Sequence, residues 1–379
     1  MSSRRFDAIV VGVGGLGSAA LYHLARRGRS VLGLERFDVP NELGSSHGIT
    51  RIIRLAYYED PGYVPLLRRS YELWRELETA AGEQLLHITG SLDAGPPGSF
   101  VFEGSRRSCE EHGLEHEVMG AAELERRFPA YRVPAETLAL FQPDGGFLLP
   151  ERCIVAHVEL AQALGAVVHA RERVLGWEPT DDGVRVTSDR GVYEADRLVL
   201  AAGAWLGELA GLPVVAERQV LAWLQPLQPR LFAPERFPVF SLIVEDGRYY
   251  GFPVFGIPGF KFGRYHHLEE RGDPDALDRE PRREDEEVLR AFASRYFPEG
   301  AGPTLTLKAC LFENTPDEHF LLGLHPEHDQ VVVAGGGSGH GFKFASVIGE
   351  IAAELTLGEV PKLDIGLLRP QRFASMTAE

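Results

Sequence analysis

The sequence predicts an α/β protein. A Rossmann-like dinucleotide-binding domain, discontinuous along the chain, is expected beside an α+β domain built on a mainly antiparallel sheet. Three observations lead there. Residues 6–11, FDAIVV, form an apolar run that passes directly into GVGGLG at 12–17 and then into helical apolar spacing. Two further apolar runs, 197–202 and 330–334, stand far downstream and each leads into glycine, as buried parallel strands feeding turns do. The intervening stretches alternate short strand-like and turn-like pieces, the pattern of an antiparallel sheet.

Taken in order, 6–11 is a buried strand, 18–27 a helix ending at Gly28, and 30–34 a second strand ending in Glu35. Strand, glycine turn, helix, strand and acid together make a dinucleotide βαβ unit. Residues 62–85 read as a helix with Leu, Tyr and Trp on one face, 86–150 as a mixed region with short strand-like pieces, and 152–165 as a helix. Strands are expected at 166–174, 184–187 and 197–202, the last running into Gly203-Ala204-Trp205. Strands and turns dominate 211–317, with one helix near 283–296. The strand at 330–334 leads into a glycine-rich turn at 335–341 and a helix over about 343–357. The expected division is 1–85, 150–210 and 320–379 for the dinucleotide domain, and 86–149 and 211–319 for the substrate domain. No repeat or low-complexity linker interrupts the chain.

Bulk properties narrow the function. With 44% hydrophobic and 25% charged residues, the 379-residue chain reads as a soluble globular protein of two or three domain-sized units. A net charge of −16 with no basic run argues against nucleic acid as a partner. It does not exclude an anionic substrate, because a site can be locally positive. Three scattered cysteines, Cys109, Cys153 and Cys310, make neither a disulfide framework nor a zinc site. His319, His325 and His328 lie close together without metal-ligand spacing, so no metal is expected. Ser3-Arg4-Arg5-Phe6 loosely mimics a twin-arginine export signal. Asp7 interrupts that run and the glycines fall at fixed spacings, so the expectation is a cytoplasmic protein that does not engage a membrane. Only four lysines occur, Lys261, Lys308, Lys343 and Lys362, in a chain that otherwise uses arginine. Lys261 and Lys343 stand in glycine- and aromatic-rich segments and draw attention for that reason.

The chemistry is carried by glycines, cations and one thiol. Gly12 permits the tight turn, Gly14 lets backbone approach a pyrophosphate, and Gly17 lets helix and strand pack closely. The phosphates then sit at the positive helix N-terminus. Glu35, eighteen residues after Gly17, is placed to accept from ribose hydroxyls. The triplet does not choose between FAD and NAD. Residues 44–54, GSSHGITRIIR, offer small residues, hydroxyls and two arginines in a loop that can lie along an isoalloxazine ring. If that segment is helical, Arg51 and Arg54 share a face; otherwise they are an ordinary surface pair. The turn at 335–341, with Gly339 and His340, presents backbone N–H groups to negative charge, or is a plain turn needing positive φ.

GSSHGITRIIR, YYGFPVFGIPGFKFG, KACLFENTPDEHF and GGGSGHGFKF together resemble monomeric sarcosine oxidase and its relatives N-methyltryptophan oxidase and pipecolate oxidase, within the amino-acid-oxidase group of flavoproteins. The motifs run in family order over nearly the whole chain. The resemblance implies that the dinucleotide is FAD, attached through the sulfur of Cys310 to the flavin 8-methyl carbon. Read by spacing alone, Cys310 is better taken as a small buried hydrophobe, and the match of Asn314-Thr315-Pro316-Asp317-Glu318-His319 reverses that reading. It further implies that Arg54 and Lys343 hold a substrate carboxylate, and that Tyr250 and His266 line the amine side. Lys261 promotes the reaction with oxygen, and Ser45, Thr50, Arg51 and Val174 lie along the cofactor. Arg264-Tyr265-His266-His267 is one residue longer than the family spacing, so His267 competes with His266. The implied reaction is oxidation of a secondary amino acid to an imine with O2 reduced to H2O2, by a monomer whose partners are a small amino acid and O2. N-methyltryptophan, pipecolate or proline as substrate, a dehydrogenase with another acceptor, and a non-catalytic dinucleotide-binding subunit are the alternatives. The set Arg54, Tyr250, Lys261, Cys310 and Lys343 argues against the last.

Overall fold

A computed structural model describes residues 5–373. Two large sheets organise it. The first has a parallel core in the spatial order Val167–His169, Val31–Leu34, Arg5–Val11, Val192–Leu200, Val331–Gly335. Chain order therefore reverses direction beside the first strand, which is where open α/β sheets bind ligands. The strands are buried on both faces and rich in Val, Ile and Leu, as a sheet covered by helices requires. Helices Gly15–Arg26, Pro150–Ala163 and Ala345–Thr356 pack together on one side. A Cβ on Gly349 would lie 2.4 Å from the Ala19 Cβ, so two of these helices touch almost backbone to backbone.

The glycine turn obeys steric demands readable in its spacing. Gly12 has φ +88°, and a Cβ on Gly17 would lie 1.8 Å from the Gly12 carbonyl oxygen. Gly14 differs: its Cβ would meet nothing within 4 Å. Gly17→Ala is expected to cost about 3 kcal/mol or more of stability, because overpacked backbone must move. Gly14→Ala is expected to leave the stability of the ligand-free protein within about 0.5 kcal/mol while hindering the close approach of a dinucleotide to the turn. Thermal melts of the two ligand-free variants check this; equal loss of stability in both would contradict it.

The second sheet is antiparallel except where Val239–Val244 runs parallel to Ser91–Gly95. Its longest pairing joins Val215–Leu224 to Thr304–Asn314, and Phe260–Arg264 and Gly247–Phe252 follow on the other side. Phenylalanines from strands, connecting segments and helix Arg283–Tyr296 fill the core behind it. A small third sheet pairs Gly146–Leu148 with both Arg51–Ile53 and Leu86–Ile88.

Several local expectations change. Residues 44–54 are not helical: Ile49 has φ +73° and Arg51–Ile53 is a strand, so Arg51 and Arg54 do not share a face. The mixed region holds two helices, Phe100–His112 and Ala121–Arg127. The strand expected at 166–174 is two pieces, Val167–His169 and Val174–Thr180. Among the described residues no helix is long and apolar enough to cross a membrane, and no cluster of ligands could hold a metal. In the arginine pair at the N-terminus, Arg5 begins the first strand while Arg4 lies outside the described residues.

Candidate active site

Two connected clefts, of about 1180 and 790 Å³, share Gly15, Leu16, Ser45, Ser46 and Glu313 as a common neck. The larger opens at the C-terminal ends of the parallel strands, over Gly12, Gly14, Glu35 and Val174. Gly17 underlies it by allowing the helix to approach. The Glu35 carboxylate is buried and accepts from the Val13 and Phe37 backbone N–H groups at 2.8 and 3.0 Å, so it fixes the turn as well as lining the cleft.

The smaller cleft runs onto the antiparallel sheet. Arg51, Tyr250, Cys310, Gly339, His340 and Lys343 all line it. The Arg51 guanidinium donates to the Ser45 carbonyl at 2.9 Å and to the Cys310 sulfur at 3.4 Å. Cys310 is thus the thiol that lines the cleft, with the Arg51 guanidinium beside it. Cys109 and Cys153 are buried elsewhere, and burial pushes both thiols up, Cys109 to about 12.

Lys343 is buried and donates to the His340 carbonyl at 2.7 Å. Burial, and then the charge of Arg54, bring its ammonium down to about 7. Arg54 is placed differently from the expectation. It does not line the cleft but is buried behind it, with Nη2 on Glu59 at 2.8 Å, a bond to the Ala56 carbonyl, and its guanidinium 3.8 Å from the Tyr58 ring centre. Burial works against the ionised form of Glu59, but Arg54 outweighs it and holds that carboxyl at about 2. His340 bonds the Tyr57 hydroxyl through Nδ1, and burial lowers it to about 4.

Lys261 also lies beneath the cleft surface. Its Nζ donates to the Gly48 and Thr50 carbonyls at 2.7 Å each and to Thr50 Oγ1 at 2.9 Å, the full set an ammonium can make. Burial, reinforced by Arg51, drives its pKa well below the usual lysine range.

His266 is not in the cleft. Its Nδ1 bonds Glu217 at 2.9 Å and its Nε2 faces Glu318 at 3.4 Å. His267 is buried against Asp285 at 2.9 Å and is likewise absent from the lining. Alternation accounts for His266, since Lys261, Gly263 and Tyr265 follow at intervals of two and Tyr265 lines the cleft; the strand ends at Arg264 and His266 takes φ +51°, so the period does not extend to His267. Hydrogen bonds to Glu217 and then Glu318 raise His266 to about 9. A histidine raised in the folded state stabilises fully below its ordinary value and loses that contribution as pH climbs through 9. His266→Gln is therefore expected to cost about 2 kcal/mol below pH 6.5 and nothing above the folded value. Melting curves across that window check it; a pH-independent difference would assign the loss to packing.

Three groups outside the sequence expectations shape the site. Glu151 accepts from the Gly48 and Ile49 N–H groups at 2.6 and 3.0 Å and clamps the loop carrying Thr50 and Arg51. Glu59 holds Arg54. Glu313 is buried in the neck, where burial lifts its carboxyl to about 7. No linear spacing marks the first two; Glu313 stands three residues after Cys310.

The residues present fit FAD. The connected clefts run from the helix N-terminus to Cys310, and open space stands over Gly14. Two buried polar atoms in the neck, Ser45 Oγ and Glu313 Oε2, have no partner among the described residues. A nucleotide cleft at the strand reversal, continued over an antiparallel sheet that carries the reactive groups, defines a flavin-dependent oxidoreductase. The family profile for DAO, FAD dependent oxidoreductase, matches residues 7–355, and the chain belongs to that family.

The chain is 41% identical to monomeric sarcosine oxidase of Streptomyces avermitilis, over 99% of this chain and all of that one. It is 36% identical to N-methyl-L-tryptophan oxidase of Salmonella typhimurium, over 98% of this chain and all of that one. Among solved structures, the open form of NikD, an unusual amino acid oxidase essential for nikkomycin biosynthesis, superposes with a TM-score of 0.85 at 28% identity, covering 97% and 98% of the two chains. L-proline dehydrogenase from P. horikoshii shares the fold with a TM-score of 0.84 at 22% identity, over 99% of each chain.

Proposed function

We propose that this enzyme is an FAD-dependent oxidase of secondary amino acids of the sarcosine type, with FAD held covalently through Cys310. One observation carries the reading: Cys310, Arg51, Tyr250 and Lys343 line a single cleft continuous with the dinucleotide site. Relatives at 41% identity that bear the name monomeric sarcosine oxidase support it.

FAD supplies the two-electron acceptor when bound. Lys343 holds the substrate carboxylate directly. Arg54 adds charge from behind and reaches the substrate only by releasing Glu59. The charges of Arg51, Arg54 and protonated Lys343 disfavour a protonated amine in the cleft, which selects the neutral, oxidisable form. Tyr250 and Tyr265 wall the amine side and exclude water. The amine loses two electrons and two protons to give an imine, water hydrolyses the imine, and O2 takes up the electrons and protons as H2O2. For sarcosine the products are glycine and formaldehyde. Lys261, in its protonated form, supplies a cation beneath the loop for the oxygen step. The enzyme acts as a cytoplasmic monomer.

A peroxide-coupled screen of N-methyl and cyclic amino acids with the purified yellow protein tests the reading. Peroxide is expected with N-methyl amino acids. Oxidation of cyclic or primary amines alone, or turnover only with an artificial electron acceptor, would overturn it.

A further inference from the structure

We propose that Arg248 is a second carboxylate-recognition point at the outer end of the cleft, so that the preferred substrates are N-alkyl amino acids with an anionic side chain. The inference rests on the oxidase reading above and narrows its substrate class.

The placement follows from sheet geometry. In the strand Gly247–Phe252, Arg248, Tyr250 and Phe252 alternate onto one face, and Tyr250 and Phe252 both line the cleft. Tyr249, on the opposite face, stacks on Phe292 at 3.7 Å within the core. Arg248 therefore continues the cleft-lining row outward. Its guanidinium carbon lies 3.6 Å from the ring centre of Tyr265, which itself lines the cleft, 5.3 Å from Phe100 and 5.9 Å from Tyr58.

What the guanidinium lacks is an acceptor. Among the described residues no hydrogen bond or ion pair engages the Arg248 side chain, although it is partly buried. The acids nearest in charge are already committed: Glu59 to Arg54 at 2.8 Å and Glu318 to His266 at 3.4 Å. Aromatic rings hold the planar fork and leave its edge free, which is the arrangement suited to bidentate recognition of a carboxylate. Arg54 and Arg248 both lie against the Tyr58 ring, and Arg54 and Lys343 form the cationic end of the site. A small amino acid anchored at Lys343 can extend a charged side chain along the aromatic wall towards Arg248.

The test compares holoenzyme and Arg248→Met on sarcosine, N-methyl-L-aspartate, N-methyl-L-glutamate and N-methyl-L-tryptophan, with bound flavin and melting temperature as folding controls. The unaltered enzyme is expected to favour an anionic substrate over sarcosine by about 10- to 100-fold in kcat/KM, the range of a charge-assisted hydrogen bond. Arg248→Met is expected to remove that preference through KM, with sarcosine changing less than about 3-fold. Arg248→Lys restores part of it, because the charge remains but the fork does not. Should Arg248→Met misfold, Arg248→Gln replaces it. A second readout is independent of turnover: glutarate should perturb the flavin absorbance far more tightly than butyrate, and only with Arg248 present.

A parallel fall for sarcosine and the anionic substrates would overturn the proposal and make Arg248 a brace for Tyr265. So would a preference for N-methyl-L-tryptophan that survives Arg248→Met, or equal binding of glutarate and butyrate. If no amine is oxidised but glutarate still binds in an Arg248-dependent way, the oxidase reading fails and this site stands.

Discussion

Cys310→Ser is expected to release every flavin from the protein on acid precipitation, whereas the parent protein should leave a yellow pellet. Cys310 is the cysteine in the cleft wall, at 3.4 Å from the Arg51 guanidinium and 3.6 Å from the Ser45 carbonyl. Attachment replaces the thiol proton and one hydrogen of the flavin 8-methyl group by a carbon–sulfur bond, and the two electrons set free pass to O2. Serine keeps the size but is a far weaker nucleophile at neutral pH. Cys109→Ser and Cys153→Ser should leave the pellet yellow, since both sulfurs are buried away from the clefts with their thiols pushed up. A colourless pellet from the parent protein would end the covalent reading; a yellow pellet from Cys310→Ser would move the link elsewhere.

Lys261→Met is expected to slow reoxidation by O2 about 100- to 1000-fold, the loss typical when a fixed group stabilising developing negative charge is removed. Reduction by the amine under anaerobic conditions should change by less than about 10-fold, because the lysine lies beneath the loop rather than against the substrate. The same charge gives a pH dependence. Burial lowers the lysine's pKa in the folded enzyme, so the cation is present at low pH and lost as pH rises through that lowered value. Reoxidation should therefore slow with rising pH in the parent and be flat in Lys261→Met. The variant also removes one of two donors from each of the Gly48 and Thr50 carbonyls, which keep the Thr50 N–H and Arg51 Nη1, so stopped-flow traces of reduction and of reoxidation must be compared on flavin-loaded protein. Equal losses in both half-reactions would mean that the lysine only props the loop.

The dinucleotide unit was legible because its signals are steric. Gly12 takes a positive φ and Gly17 is forced by the Gly12 carbonyl five residues before it, and the buried parallel strands announce themselves as unbroken apolar runs. Helix Phe100–His112 was not, because its buried face is partly polar. Ser105 donates to Asp93 at 2.7 Å and Ser108 to the Tyr57 carbonyl at 2.6 Å, so no apolar period marks it. The shape of residues 44–54 depends on Glu151, about a hundred residues away, and nothing local foretells a strand there. Arg54 carries the guanidinium expected to hold the substrate carboxylate, but its partner Glu59 decides which way it points. The exchange of His266 for Tyr265 was readable in principle. Counting by twos from Lys261 along the strand leads to Tyr265, whereas matching histidine to histidine leads past it.

In the proposed reaction one cleft takes electrons from a secondary amine and hands them to oxygen. Mixing the holoenzyme anaerobically with an N-methyl amino acid and then admitting air tests it most directly. The yellow flavin colour is expected to bleach with the amine alone and to return on exposure to air, with one H2O2 formed for each amine oxidised. A colour that never bleaches with any secondary amino acid, or one that bleaches and stays bleached in air, would contradict it.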